Sequence, residues 1–209
     1  MKITKYIHSC LLVEEKGKRV LFDPGTYATE GNALDVEYME QLDFLLLTHE
    51  HQDHLDISFV KNLAEKFPNL QIVGNSSVVK FLEKGGVRAS AIENEFISMK
   101  PAPHEPLLPN QAVPENTLFT IWRRLTHPGD SFNFQETAEI LALPIQAPWG
   151  SFVQAMEKAV SLKPKLVIPI HDWHWNNEAR KNLYERARSF LKRHGIDFAA
   201  LEAGQMFEV

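Results

Sequence analysis

Thr48-His49-Glu50-His51-Gln52-Asp53-His54 places four candidate metal ligands, His49, His51, Asp53 and His54, at the spacing H-x-H-x-D-H. Imidazole and carboxylate are the groups that hold zinc-like divalent ions. The run leaves directly from Asp43-Phe44-Leu45-Leu46-Leu47, a continuous apolar stretch. That is the pattern of a strand buried on both faces. His49 and His51, two apart, point the same way as the chain leaves the strand. Asp53 and His54 enter the next turn and face the same space, so the spacing suits two ions with two ligands each. The competing reading is a polar loop that is merely rich in histidine.

Three other apolar segments end in residues of the same kind. Residues 166–170 run into His171, residues 118–125 into Thr126-His127-Pro128-Gly129-Asp130, and residues 20–22 into Asp23. In open α/β sheets, ligands sit beyond the carboxyl ends of strands, so four such ends make one site. Asp23, which precedes Pro24 and Gly25, reads equally well as a turn former.

The elements that must position these residues follow from periodicity and punctuation. Strands are expected over 2–7, 9–14 and 19–22, with a hairpin where Gly17 lies in a polar tetrapeptide. A loop covers 24–33, a short helix 35–42 and the buried strand 43–47. Apolar residues at helical spacing mark 56–67, a helix stopped by Pro68. A strand over 70–73 and a helix over 76–84 follow, the helix ending at Gly85-Gly86. Residues 101–116 hold five prolines and read as a long irregular loop of the kind that is usually functional. Strands are expected over 118–125, 140–143 and 166–170. The helix over 151–162 opens on a Ser151/Gln154 capping box. The helix over 177–194 buries Ala179, Leu183, Ala187, Phe190 and Leu191 and closes at Gly195. Strands alternating with helices give an α/β protein, read as a single domain over residues 1–209.

Composition narrows the function classes. The chain has 209 residues, 44% hydrophobic and 23% charged, ordinary values for a globular domain with a real core. Its net charge of −5, without a basic block, argues against nucleic-acid binding. Cys10 is the single cysteine, which rules out an intrachain disulfide and an all-cysteine metal site. Neither a membrane span nor a signal peptide is readable, so a cytoplasmic protein acting on a small molecule is expected. Oligomeric state is not legible.

Taken together, these motifs resemble the metallo-β-lactamase fold superfamily. His49, His51, Asp53 and His54 match its H-x-H-x-D-H motif, and His104, Asp130 and His171 match the later His, Asp and His in order and rough spacing. His8-Ser9-Cys10 and Leu21-Phe22-Asp23-Pro24-Gly25 resemble a branch of small metal-dependent hydrolases. That branch includes the ascorbate-6-phosphate lactonase and N-acylphosphatidylethanolamine phospholipase D types. The resemblance implies a four-layer αββα sandwich with two divalent metal ions, zinc first, manganese or iron also suiting the ligands. It implies that His49, His51 and His104 hold one ion, that Asp53, His54 and His171 hold the other, and that Asp130 bridges them. It further implies a hydrolase that turns a metal-bound hydroxide on a small ester, a phosphodiester or lactone. Asp53 would orient the attacking water and pass a proton.

Other residues keep two readings. His127, three positions before Asp130, competes with His104 as the third-motif ligand. His8 and Asp23 read as support or substrate contacts rather than ligands. Trp173 and His174 read either as substrate contacts or as packing, while Trp149 and Trp175 read as packing. Arg123 and Arg124 suit a phosphate, but adjacent strand arginines usually include a solvated one. His194, in a last helical turn, reads as structural. Asp130 stands where exported lactamases commonly have Cys, which argues against antibiotic hydrolysis. The alternatives are a diiron redox protein, which would need a flavin partner domain, and a non-catalytic binding module on the same fold. Seven intact ligand candidates weigh against the module, since buried polar groups without a metal are costly.

Overall fold

In the computed structural model, which describes residues 1–30 and 34–209, the chain forms two units, Met1–Ile92 with Leu201–Val209, and Glu93–Ala200. The expected loop 24–33 therefore ends, at 31–33, outside the described residues.

In the first unit, strands β1 (Lys2–Lys5), β2 (Leu11–Glu15) and β3 (Lys18–Phe22) form an antiparallel meander. Lys16 and Gly17 both have positive φ, 51° and 73°, as a two-residue hairpin turn with the twist of its strands requires. β1 and β2 are shorter than their apolar patterns suggest, because the chain turns between them. Tyr6 N donates to Cys10 O (2.9 Å), and His8 sits at φ 65° on the turn. The loop expected from residue 24 contains one helical turn, α1 (Thr26–Thr29), behind Gly25. The helix expected over 35–42 is only a 3-10 turn, Val36–Tyr38, capped by Asp35; Met39 is already extended.

Strands β4 (Phe44–Leu47) and β5 (Gln71–Gly74) continue the sheet parallel to β3. Helix α2 (Ile57–Lys66) is capped by Asp56, which accepts from Ser58 N and Phe59 N. Helix α3 (Ser76–Lys84) is capped by Asn75. Leu45 and Leu47 of β4 pack with Val60 and Leu63 of α2 and with Val78 and Leu82 of α3.

In the second unit, β6 (Ile97–Pro101) is a strand that the sequence did not signal. The expected strand 118–125 is two strands, β7 (Thr117–Ile121) and β8 (Leu125–His127), because the chain reverses between them. Trp122 and Arg123 take φ 49° and 55° there, and Trp122 stacks on Phe96 with centroids 4.8 Å apart. No glycine marks this turn, and Ile, Trp and Arg at 121–124 read as strand. Strand β9 (Ile140–Pro144), helix α4 (Phe152–Leu162), strand β10 (Leu166–Ile170) and helix α5 (Asn177–Lys192) follow. The Ser151/Gln154 capping box is formed as expected. Strand β11 (Asp197–Phe198) joins β10, and β8 to β11 are parallel. Ala155, Met156 and Ala159 of α4 and Tyr184, Ala187 and Leu191 of α5 pack with Leu141, Leu143 and Val167 of this sheet. The last strand, β12 (Met206–Glu208), pairs with β1 in the first unit.

Each unit is thus one six-stranded mixed sheet with helices against it. Among the described residues, no helix is long and apolar enough to cross a membrane.

Candidate metal centre

In the first unit, Asp23 and His49 leave the carboxyl ends of the adjacent parallel strands β3 and β4. Asp23 is fully buried, in the left-handed region at φ 43°, which Asp tolerates better than most residues. Its carboxylate accepts from Thr48 N (2.8 Å), Thr48 Oγ1 (2.7 Å) and His54 Nδ1 (2.8 Å). Because the Thr48 hydroxyl proton goes to Asp23, Thr48 Oγ1 accepts from His49 Nδ1 at 3.0 Å. Both rings are therefore held with the proton on Nδ1 and the Nε2 lone pair turned outward, a tautomer assigned from these partners. This is how supporting hydrogen bonds orient metal-binding imidazoles.

Ligand atoms of His8, Asp53 and His54 lie within 4.8 Å of one another, as do those of His49 with His51 and of His49 with His54. His51 is the exposed member, its ring 4.8 Å from that of His49. Asp53 is partly exposed, with Oδ2 3.2 Å from His8 Nε2. Its backbone is held from behind. Thr26 N donates to Gln52 O (2.8 Å), Asp56 N donates to Pro24 O (3.1 Å), and a Cβ on Gly25 would fall 1.9 Å from the Asp53 carbonyl carbon. Only glycine allows the two loops to approach this closely. Sequence reasoning passed over Tyr27, whose ring meets His8 edge-on at 5.2 Å. Burial, and then the Asp53 charge, push its phenol pKa up.

In the second unit, Asp130 and His171 follow β8 and β10, and His104 lies in the proline-rich loop. His171 Nδ1 faces Gln146 O at 2.9 Å, and His104 Nδ1 faces Glu105 O at 2.6 Å. A carbonyl can only accept, so both Nδ1 atoms carry protons, and in the neutral rings Nε2 presents its lone pair. Those lone pairs converge on Asp130 Oδ2, at 3.1 Å from His171 and 3.6 Å from His104. Ring nitrogens facing a carboxylate in a buried pocket call for a proton or a cation between them, and this donor set suits a divalent metal. His127 is fully buried, and its Nδ1 accepts from Gly129 N (3.3 Å), which braces the turn into Asp130.

Two contributors here had no local signal in the sequence. Asn116 donates through Nδ2 to Ala102 O (2.7 Å) and Pro128 O (2.9 Å), and its Oδ1 accepts from Asp130 N (3.2 Å). It thereby ties the loop carrying His104 to the turn carrying Asp130. Trp149, read as a packing residue, donates its indole N–H to Asp130 Oδ2 at 3.1 Å. Trp175 does pack, against Phe152 of α4 at 6.2 Å. Trp173 is 47% exposed and His174 is exposed, their rings 5.5 Å apart and His174 6.2 Å from His171. Asp172 is buried and accepts from Tyr184 of α5, which anchors the segment after β10. Arg124 pairs with Glu139 at 2.9 Å, and Arg123 is exposed in its turn. His194 is exposed, its ring against Phe190 at 4.8 Å.

A family model described as a beta-lactamase superfamily domain matches residues 2–171. Protein Rv0786c of Mycobacterium tuberculosis is 30% identical over 198 residues, spanning 89% of this chain and 91% of that protein. The UPF0173 metal-dependent hydrolase NEQ378 of Nanoarchaeum equitans is 26% identical over 197 residues, spanning 84% and 85%. Among solved structures, the metallo-beta-lactamase fold protein YhfI of Bacillus subtilis aligns with a TM-score of 0.70 at 17% identity, covering 99% of this chain and 98% of that one. The last likeness speaks for the fold, and the family match and the relatives speak for descent. The chain belongs to the β-lactamase superfamily, and its mixed sheets and helices are those of the metallo-β-lactamase fold.

Proposed function

We propose that this protein, a metal-dependent hydrolase of the metallo-β-lactamase fold, cleaves a small ester-type substrate, a phosphodiester or lactone, with two divalent ions. In this reading His49, His51 and His104 would hold one ion and Asp53, His54 and His171 the other, with Asp130 as a ligand shared by both. Zinc is the first candidate, with manganese and iron also compatible with these donors.

The observation that carries the reading is the preset tautomer at four histidines. His49, His54, His104 and His171 each set Nδ1 against a partner within their own unit, the supporting arrangement in which Nε2 would be the ligating atom. Divalent ions bound there would lower the pKa of a bound water toward about 7 and stabilise charge on the entering and leaving oxygens. The chain's own residues do the rest. Asp53, partly exposed and with Oδ2 3.2 Å from His8 Nε2, would orient the attacking water and take its proton. Asp23 keeps His54 in its ligating tautomer. Trp173 and His174, exposed beside His171, offer an aromatic surface to the substrate. A single buried cysteine, Cys10, whose thiol burial pushes well above its ordinary pKa, suits a cytoplasmic enzyme.

The test is a panel of phosphodiesters and lactones assayed with wild type, His51→Ala, Asp53→Ala and His194→Ala. Turnover of one class, lost in the first two variants and kept in the third, supports the reading. Normal turnover by Asp53→Ala would end it.

A further inference from the structure

Trp149 sits at the tip of a tight turn. Ala147 N donates to Gly150 O (3.0 Å) and Gly150 N donates to Ala147 O (3.1 Å). A Cβ on Gly150 would come 2.7 Å from Phe132, so the turn lies directly against that ring. Phe132 meets the indole edge-on at 5.4 Å, and His171 lies 5.3 Å away on another side. The ring is thus held in place by packing, and its one polar atom, Nε1, points at Asp130 Oδ2. That oxygen is the one on which the His171 and His104 lone pairs converge. An indole N–H can only donate and never titrates in the working range. It therefore fixes the rotation of the carboxylate without competing for the cation.

We propose that Trp149 is a positioning residue for the metal-bridging carboxylate. Its N–H anchors one oxygen of Asp130, sets the angle at which the carboxylate meets the ions, and draws charge away from that oxygen. This rests on the reading of Asp130 as a ligand. Supporting hydrogen bonds of this kind are worth about 10–100-fold in metal affinity.

Two substitutions separate the donor from the ring. Trp149→Phe keeps an aromatic ring and deletes the N–H, whereas Trp149→Gln deletes the ring and keeps an N–H donor. The full-length protein, stripped of metal, would be titrated with Co²⁺ against a competing chelator. Its visible absorption bands report ligand geometry, and thermal unfolding of the metal-free protein reports folding. The expected result is Co²⁺ binding about 10-fold or more weaker in Trp149→Phe, with altered bands and an unchanged metal-free midpoint. Trp149→Gln should stay within a few-fold of wild type. Should Trp149→Phe not fold, Trp149→Gln decides alone: near-wild-type binding without the ring supports the role of the N–H, and a large loss refutes it. Wild-type affinity in Trp149→Phe, or equal losses in both variants, overturns the proposal and leaves the metal centre standing. Failure of the wild type to bind Co²⁺ overturns both.

Discussion

The Asp23 carboxylate lies 2.8 Å from His54 Nδ1, and neither side chain is exposed to solvent. The same carboxylate accepts from both the backbone and the hydroxyl of Thr48. One buried acid at the end of β3 therefore governs the tautomer of a histidine 31 residues away and the exit of β4. Asp23→Ala would leave three buried donors without their acceptor, a cost of about 3 kcal/mol or more. Asp23→Asn, which tolerates the same left-handed backbone, should fold, place an amide against His54 Nδ1, and weaken metal binding about 10–100-fold. Chelator competition on the purified variants checks this.

Asn116→Ala deletes the three hydrogen bonds that join residue 102 to the 128–130 turn. The expected loss is about 1–3 kcal/mol of stability, together with weakened metal binding, because His104 and Asp130 lose their common brace. Denaturant unfolding and a metal titration on one preparation measure both effects. Unchanged metal affinity in a destabilised variant would reduce Asn116 to a structural residue.

Gly25→Ala alters no ligand, yet its methyl would enter the space of the Asp53 carbonyl. Relief requires the 24–26 loop to move away from 51–56. Destabilisation of about 1–3 kcal/mol is expected, with a fall in turnover larger than that in His194→Ala. Gly17→Ala, at a φ of 73° with open space around it, should cost stability through backbone strain and leave turnover unchanged.

Acid sensitivity should trace in part to Asp43. Burial opposes its charge, but the Arg19 backbone N–H (3.0 Å), Lys18 Nζ (2.9 Å) and Gln41 Nε2 (2.8 Å) outweigh it and hold the carboxyl below its ordinary pKa. The folded state then binds this proton less readily than the unfolded state does. Asp43 thus contributes stability above the unfolded carboxyl value of about 3.9, and loses it as the pH falls through the lower folded value. Asp43→Asn should be less stable than wild type by about 1 kcal/mol at pH 7. That gap should close progressively below about pH 4 in denaturant titrations.

What could be read in the sequence is what local pattern encodes. The buried strands at Phe44–Leu47 and Leu166–Ile170, the helix Ser76–Lys84 and the Ser151/Gln154 cap show in the periodicity and residue type of their own segments. So do the candidate ligand types between His49 and His54 and at His171. What could not be read depends on partners distant in the chain. The strand Ile97–Pro101 exists because β7 pairs with it, and the reversal at Trp122–Arg124 is held by Phe96 and Glu139 rather than by a glycine. Asn116 and Trp149 matter for where their hydrogen bonds end, 14 and 19 residues away at Asp130. Tyr27 stands beside His8 only because Gly25 lets its loop close on Asp53.

The most direct test of the central claim is the metal content per chain, by elemental analysis of protein purified without chelator or affinity metal, together with His51→Ala and Asp23→Asn. About two divalent ions per wild-type chain are expected, and fewer in both variants. A wild-type chain that holds no metal, even after reconstitution with zinc, manganese and iron, would contradict the claim.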